Sequence, residues 1–178
     1  EDTASRLILA DIYELAGEQQ LALTMYREAY ARVPGNSQVL VRLVGLLHKT
    51  GEFVEAKRYL DAADARNLPN PTLQRMQVDN DLSHDNLDSA MSTLQQLLEK
   101  DPNDIGLKLS YARVLILRNE FAQAETILND LRAKLSKSNS SELMLVARTR
   151  VSLYARQEAT DKAVQVCNEM VDTLGNAA

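Results

Sequence analysis

The segment ALTMYREA, running from Ala22 to Ala29, decides how the rest of the chain is read, because its spacing returns along the sequence. A small residue is followed four positions on by a larger one, and three later by another apolar one. The sets are Ala22, Tyr26 and Ala29; Ala56, Leu60 and Ala63; Ala90, Leu94 and Leu97; and Ala124, Leu128 and Leu131. Their alanines step by 34 residues. A further copy, Ala163, Cys167 and Met170, follows after 39, so about five residues are inserted before it. A fixed period of this length marks a chain built by stacking like units, and its 178 residues therefore count repeats instead of enclosing one core.

Each unit reads as two helices, because apolar residues recur three and four apart and turn-forming residues fall between the segments. The expected helices cover 3–16 and 19–32, 37–49 and 53–65, 71–83 and 87–99, 104–117 and 121–134, then 141–157 and 160–174, which makes five antiparallel pairs. The start signals are periodic too. Asn36, Asn70 and Asp104 lie 34 apart, and each carries an oxygen able to accept from the open amides of a first helical turn. Pro71 follows Asn70 at the first helical position, where its missing N–H costs nothing. Inside the pairs, Gly17, Gly51, Asp85 and Asn119 tolerate the left-handed backbone that ends a helix. Between pairs, Pro34, Pro69 and Pro102 stop one unit before the next begins. Residues 134–141, KLSKSNSS, lack apolar spacing and are expected to form a longer, mobile loop holding the insertion.

Composition removes several classes of function. The chain is 45% hydrophobic and 25% charged with no apolar run near the roughly 20 residues that cross a bilayer, so a soluble protein without membrane insertion is expected. The net charge of −5 disfavours nucleic acid and anionic membranes as partners. One cysteine permits no internal disulfide, and with His48 and His84 it cannot complete the usual closed zinc site. Cys167 falls on the repeat's core stripe and is expected as a buried small hydrophobe. The chain starts at Glu1 with no charged-then-apolar leader, which leaves its localisation open. No phosphate-cradling glycine loop, HExxH or nucleophile-elbow pattern occurs, so neither an enzyme nor a cofactor is expected. Carboxylate pairs such as Asp61 and Asp64 sit at the spacing of a solvated helix face.

These residues match a family pattern. L-x3-Y in the first helix, A-x3-Y-x2-A in the second and a closing proline resemble the tetratricopeptide repeat. Leu9, Ala10, Tyr13, Ala22, Tyr26, Ala29 and Pro34 fill its places in repeat one, where Arg6 stands instead of the opening Trp, and Leu40, Leu43, Leu47, Gly51, Ala56, Leu60 and Ala63 follow in repeat two. The resemblance implies an all-α fold, a right-handed superhelix (α-solenoid) of five helix pairs in one array, with repeats at about 3–36, 37–70, 71–104, 105–138 and 141–175. Repeat three departs from the pattern. Gln77 and Asp81 stand where a leucine and an aromatic are expected, so Asp81 either finds a donor, an arginine by preference, or stays partly exposed.

The resemblance also implies a function: a non-catalytic protein-interaction scaffold, part of a larger protein in a bacterial assembly or export system. First helices line its concave groove. That geometry places Asp11 and Glu14 there from repeat one, with Leu7, and Lys49 from repeat two, with Val41, Gly45 and His48. Arg75 and Asp79 come from repeat three, Leu109 and Arg113 from repeat four with Ile116, and Arg148, Ser152 and Arg156 from repeat five. Acid at one end and arginine at the other suit an acidic protein or peptide partner, unless the arginines are merely solvated or pair within the array. The lysine and asparagine clamp by which some members hold chaperone C-termini is absent, since the matching places read Leu7, Asp11, Arg42, Thr72 and Met76.

The end helices suggest an alternative. RLILADIYELA is apolar nearly all round, and the last helix keeps Val164, Val166, Val171 and Leu174 off its core stripe. The ends are therefore expected to stack on further repeats or on a second copy, as a self-assembling module. Carbohydrate contact is a third reading, weakened by the few aromatic residues in the groove.

Overall fold

Short polar side chains start the helices of the computed structural model, which describes residues 2–66 and 70–174. The Asn36 side chain accepts from the amides of Gln38 and Val39, Asn70 from Thr72 and Leu73, and Asp104 from Leu107. Asp2, one period before Asn36, caps the first helix by accepting from the Ser5 amide at 2.7 Å. Each cap satisfies donors that a helix start leaves open, worth about 1 kcal/mol.

Ten α-helices follow among the described residues: α1 Thr3–Leu15, α2 Gln19–Arg32, α3 Ser37–Thr50, α4 Phe53–Asp64, α5 Pro71–Ser83, α6 Leu87–Lys100, α7 Ile105–Leu117, α8 Phe121–Lys134, α9 Ser140–Arg156 and α10 Thr160–Leu174. All agree with the expected spans to within a residue at each end. The intra-pair turns take the left-handed backbone at Gly17, Gly51, Asp85 and Asn119, with φ between 60° and 82°. Glu158 completes this series at φ 56°, a position that its residue type does not announce. Pro69 lies outside the described residues.

The helices form two compact units, Glu1–Asn86 and Leu87–Ala178. In the first, α1 packs on α2, α2 on α3, and α3 on both α4 and α5. Its core joins Ala10, Leu23, Tyr26, Leu40, Leu43, Leu47, Ala56 and Leu60. In the second, α7 packs on α6, α8 and α9, and α9 on α10, around Ala112, Leu115, Ala124, Leu128, Val146 and Leu153. The recurring alanines Ala22, Ala56, Ala90 and Ala124 are all fully buried. The unit boundary falls inside the third repeat, between α5 and α6.

Three expectations are corrected. The 134–141 stretch carries an ordered 3₁₀ turn, Lys137–Asn139, because Asn139 Oδ1 accepts from both the amide and the hydroxyl of Ser136. In α10 the side facing α9 is turned by one residue, so Val166 is buried and Cys167 exposed, the reverse of the expected stripe. Leu109 and Ile116, both expected in the groove, are instead buried in the core of the second unit, where an aliphatic side chain gains most from leaving water. The side chain of Leu174 lies outside the described residues. In α5 the open question over Asp81 resolves as burial with a donor: it is 1% exposed, and Gln77 Nε2, one turn back, donates to its Oδ1 at 3.1 Å.

The left-handed turns give a direct test. A Cβ added at Gly51 meets no atom within 4 Å, so Gly51→Ala reads backbone strain alone and should destabilise the protein by about 1 kcal/mol. Glu158→Gly should do the opposite, stabilising by about 0.5 kcal/mol once its own chain entropy is set against the strain relieved. Urea-unfolding midpoints check both signs.

Candidate functional site

In the first unit, the acids on α1 are already engaged. Asp11 Oδ1 accepts from the buried Tyr26 hydroxyl at 2.6 Å and from the Arg42 guanidinium on α3. Glu14 accepts from Lys49 Nζ at 3.2 Å and lies 3.4 Å from the Tyr26 hydroxyl. Burial first, and the bond to Asp11 second, push the Tyr26 phenol well above its usual range, so the hydroxyl is held as a donor. Both ion pairs are partly solvated and each contributes at most about 1 kcal/mol. The acidic entrance expected from Asp11 and Glu14 is thus matched by cations of the neighbouring repeat, and Lys49 is one of them.

Further along this unit, Arg75 and Asp79 are exposed on α5, one turn apart. Gly45 leaves room beside Met76, whose Cε lies 3.6 Å from where a Cβ would be. His48 is half-buried, with Nε2 donating to Asn80 Oδ1 at 3.3 Å and its ring 5.4 Å from that of Phe53. Asn80 is fully buried, and its Nδ2 has no partner among the described residues. Elsewhere in this unit a cleft of about 410 Å³ opens between the Gly51 turn and His84. The acids on its wall, Glu52 and Glu55, are both committed to Arg27, Glu55 through two bonds of 2.7 and 2.8 Å.

The second unit differs. On α7 only Gly106 and Arg113 are exposed, two turns apart and therefore on one face. On α9, which packs against α7, the exposed face carries Met144, Leu145, Arg148, Ser152 and Arg156. Arg113, Arg148 and Arg156 form no ion pair among the described residues, and no carboxylate is exposed on these faces of α7 and α9. Arg150, by contrast, points the other way and is held by Glu169 at 2.9 Å. The structure therefore brings Arg113, Arg148, Ser152 and Arg156 onto two adjoining helices and keeps Leu109 beneath them. Sequence reasoning passed over Met144 and Leu145, although their i, i+4 and i, i+3 spacing to Arg148 was a signal available from the chain alone. Among the described residues there is no cluster of three or more His, Cys, Asp or Glu placed for a metal, and no helix long and apolar enough to cross a membrane.

Comparison with known proteins adds a family and a fold. The tetratricopeptide repeat model matches residues 13–77 and 81–149. A cellulose synthase operon protein C from Xanthomonas axonopodis pv. citri is 29% identical over 140 residues, covering 74% of this chain but only 9% of that protein. Among solved structures, YrrB, described as a TPR protein with an unusual peptide-binding site, is 16% identical over 99% of this chain and 88% of its own, with a TM-score of 0.68. PilW, a type IV pilus biogenesis factor, is 15% identical over 96% and 77% with a TM-score of 0.73. Identities this low speak for the fold alone, which is that of a helical-repeat solenoid.

The His48 environment predicts a pH dependence. Burial is the main influence and lowers its pKa below 6.5, against weaker opposing effects from Asn80 and Asp79. The unfolded chain then binds the proton more readily than the folded one, so stability is fully present above about pH 6.5 and falls as pH drops below it. The Arg27 guanidinium holds the Glu55 carboxyl below its ordinary 4.5, so that pair weakens only at more acidic pH. The urea midpoint should fall between about pH 7.5 and about pH 5.5 in the native protein and stay level in His48→Gln.

Proposed function

This chain belongs to the tetratricopeptide repeat family, and we propose that it is a non-catalytic protein-interaction module whose α7 and α9 faces take an acidic segment of a partner in a bacterial assembly or export system. Families of this class mediate protein–protein interactions, and two similar proteins carry a matching context in their names, a cellulose synthase operon and type IV pilus biogenesis. The matched stretch is a small fraction of the first of these, so its activity as a whole is not carried over.

The observation behind the reading is the contrast between the units. Asp11 and Glu14 already have Arg42 and Lys49, whereas Arg113, Arg148 and Arg156 are exposed without an ion pair among the described residues. An unpaired guanidinium presents a planar fork of donors suited to carboxylates, and three of them on adjoining helices in an otherwise acidic chain form a local cationic face. Replacing Arg113 and Arg148 together with Ala should weaken binding of a fluorescein-labelled acidic peptide at least roughly tenfold. Fluorescence anisotropy reads the loss, the native affinity should fall as salt rises, and unchanged affinity in the double variant overturns the reading.

A second reading has its own observation. Ile8, Ile12 and Leu15 form an exposed stripe on α1, with Leu15 90% exposed, and Val164 and Val171 do the same on α10. Self-association through such faces would raise the solution mass with concentration. Leu15→Glu should return a concentration-dependent mass to that of a monomer in sedimentation experiments; a native mass constant across the concentration series leaves the arginine face as the working surface.

A further inference from the structure

Resting on the proposed arginine face, we infer that its ligand is an extended segment with an apolar residue ahead of two acids, in the pattern apolar–x–acid–x–x–x–acid, docked lengthwise on α9. The inference comes from the order of side chains on the exposed face of one helix. Met144 and Leu145 are 54% and 50% exposed, although both are large apolar side chains. They stand one turn before Arg148, and Ser152 and Arg156 continue the same face at four-residue steps. The face is therefore apolar at one end and cationic along the rest.

The spacing fixes the pattern. Arg148 and Arg156 are eight residues apart, about 12 Å along the axis at 1.5 Å per residue. An extended segment advances about 3.3 Å per residue, so acids four positions apart span about 13 Å and meet both guanidiniums. Alternation puts residues two apart on the same side of a strand, so the apolar residue two before the first acid faces α9 as well. It reaches Leu145 and Met144. Ser152, between the arginines, can donate to a carbonyl of the segment, and Arg113 offers a third fork from the adjoining α7. Burying the aliphatic pair against a matching side chain supplies the non-directional attraction that exposed charge pairs lack.

The test uses four labelled synthetic peptides and the full chain. The first is Gly-Leu-Ser-Glu-Ser-Gly-Ser-Glu-Gly; the others replace its Leu with Ser, move its acids to adjacent positions, or replace both Glu with Lys. Anisotropy titrations should give the first peptide the highest affinity, with about a tenfold loss for the Leu-to-Ser and adjacent-acid peptides and no binding for the Lys peptide. Met144→Ser with Leu145→Ser should cost the first peptide about tenfold and leave the Leu-to-Ser peptide unchanged, the signature of a direct contact in a double-mutant cycle. Equal binding of the first two peptides overturns the apolar anchor while the arginine face stands. Equal binding of the first and adjacent-acid peptides overturns the lengthwise register. Failure of all three acidic peptides, or undiminished binding of the Lys peptide, overturns the arginine face itself. Because both serine substitutions fall at exposed positions, circular dichroism should show the native helix content and melting curve in that variant.

Discussion

Everything in this protein depends on the close approach of helices at the recurring alanines. Two helix axes 8–10 Å apart leave room for little more than a methyl group where they cross, and Ala22, Ala56, Ala90 and Ala124 supply it with no exposed surface. Four residues later Tyr26, Leu60, Leu94 and Leu128 fill the wider gap that opens away from each crossing, and these too are buried. The pair of positions works only as a unit: a larger residue at the crossing would force the helices apart, and a smaller one beyond it would leave a void. A single helix pair has too little interior to hide such residues alone. Within each unit, neighbouring helices therefore supply the other half of one another's core.

That arithmetic explains how much could be read in advance. Helix starts at Asn36, Asn70 and Asp104 and left-handed turns at Gly17, Gly51, Asp85 and Asn119 are local chemistry, decided within three or four residues, and they were legible. Glu158 adopts the same turn because α9 and α10 must pack at that point; the fold imposes the conformation on a residue that would not choose it. The order around Ser136 was hidden because an amide and a hydroxyl meeting one asparagine oxygen leave no apolar trace. In α10, Val164, Val166, Cys167, Met170 and Val171 offer two overlapping stripes, and packing against α9 decides which is inside. Periodicity names the candidates there but cannot choose between them.

The charged surface was legible in part for a related reason. Asp11 and Arg42 lie 31 residues apart, Glu14 and Lys49 lie 35, and both separations are close to one repeat, so partners meet whenever their positions agree across neighbouring units. Spacing alone does not decide the outcome: Asp79 precedes Arg113 by 34 residues, one full period, and yet Arg113 forms no ion pair among the described residues. Whether an arginine is paired is thus a property of the stacking, and only the folded chain separates Arg150, held by Glu169, from Arg148, which is not. Met144 and Leu145 escaped notice because exposed aliphatics are common on any protein surface, and only the folded chain shows that they share a face with Arg148, which has no ion pair among the described residues.

The same division of labour makes the proposed arginine face experimentally clean. The inward positions carry the stability, since removing buried methylenes from a close-packed repeat costs about 2–5 kcal/mol and loosens its neighbours as well. The outward positions of α7 and α9 carry almost none of it. An exposed arginine without an ion pair has nothing to lose inside the protein, and surface substitutions of this kind usually change stability by no more than about 0.5 kcal/mol. A loss of affinity at Arg113, Arg148 or Arg156 can therefore be read as lost recognition. A loss at Asp11 or Lys49 could not, because the same change would also unpair α1 from α3. Stacking fixes what each repeat must keep inside, and by doing so it leaves the outward residues free to vary.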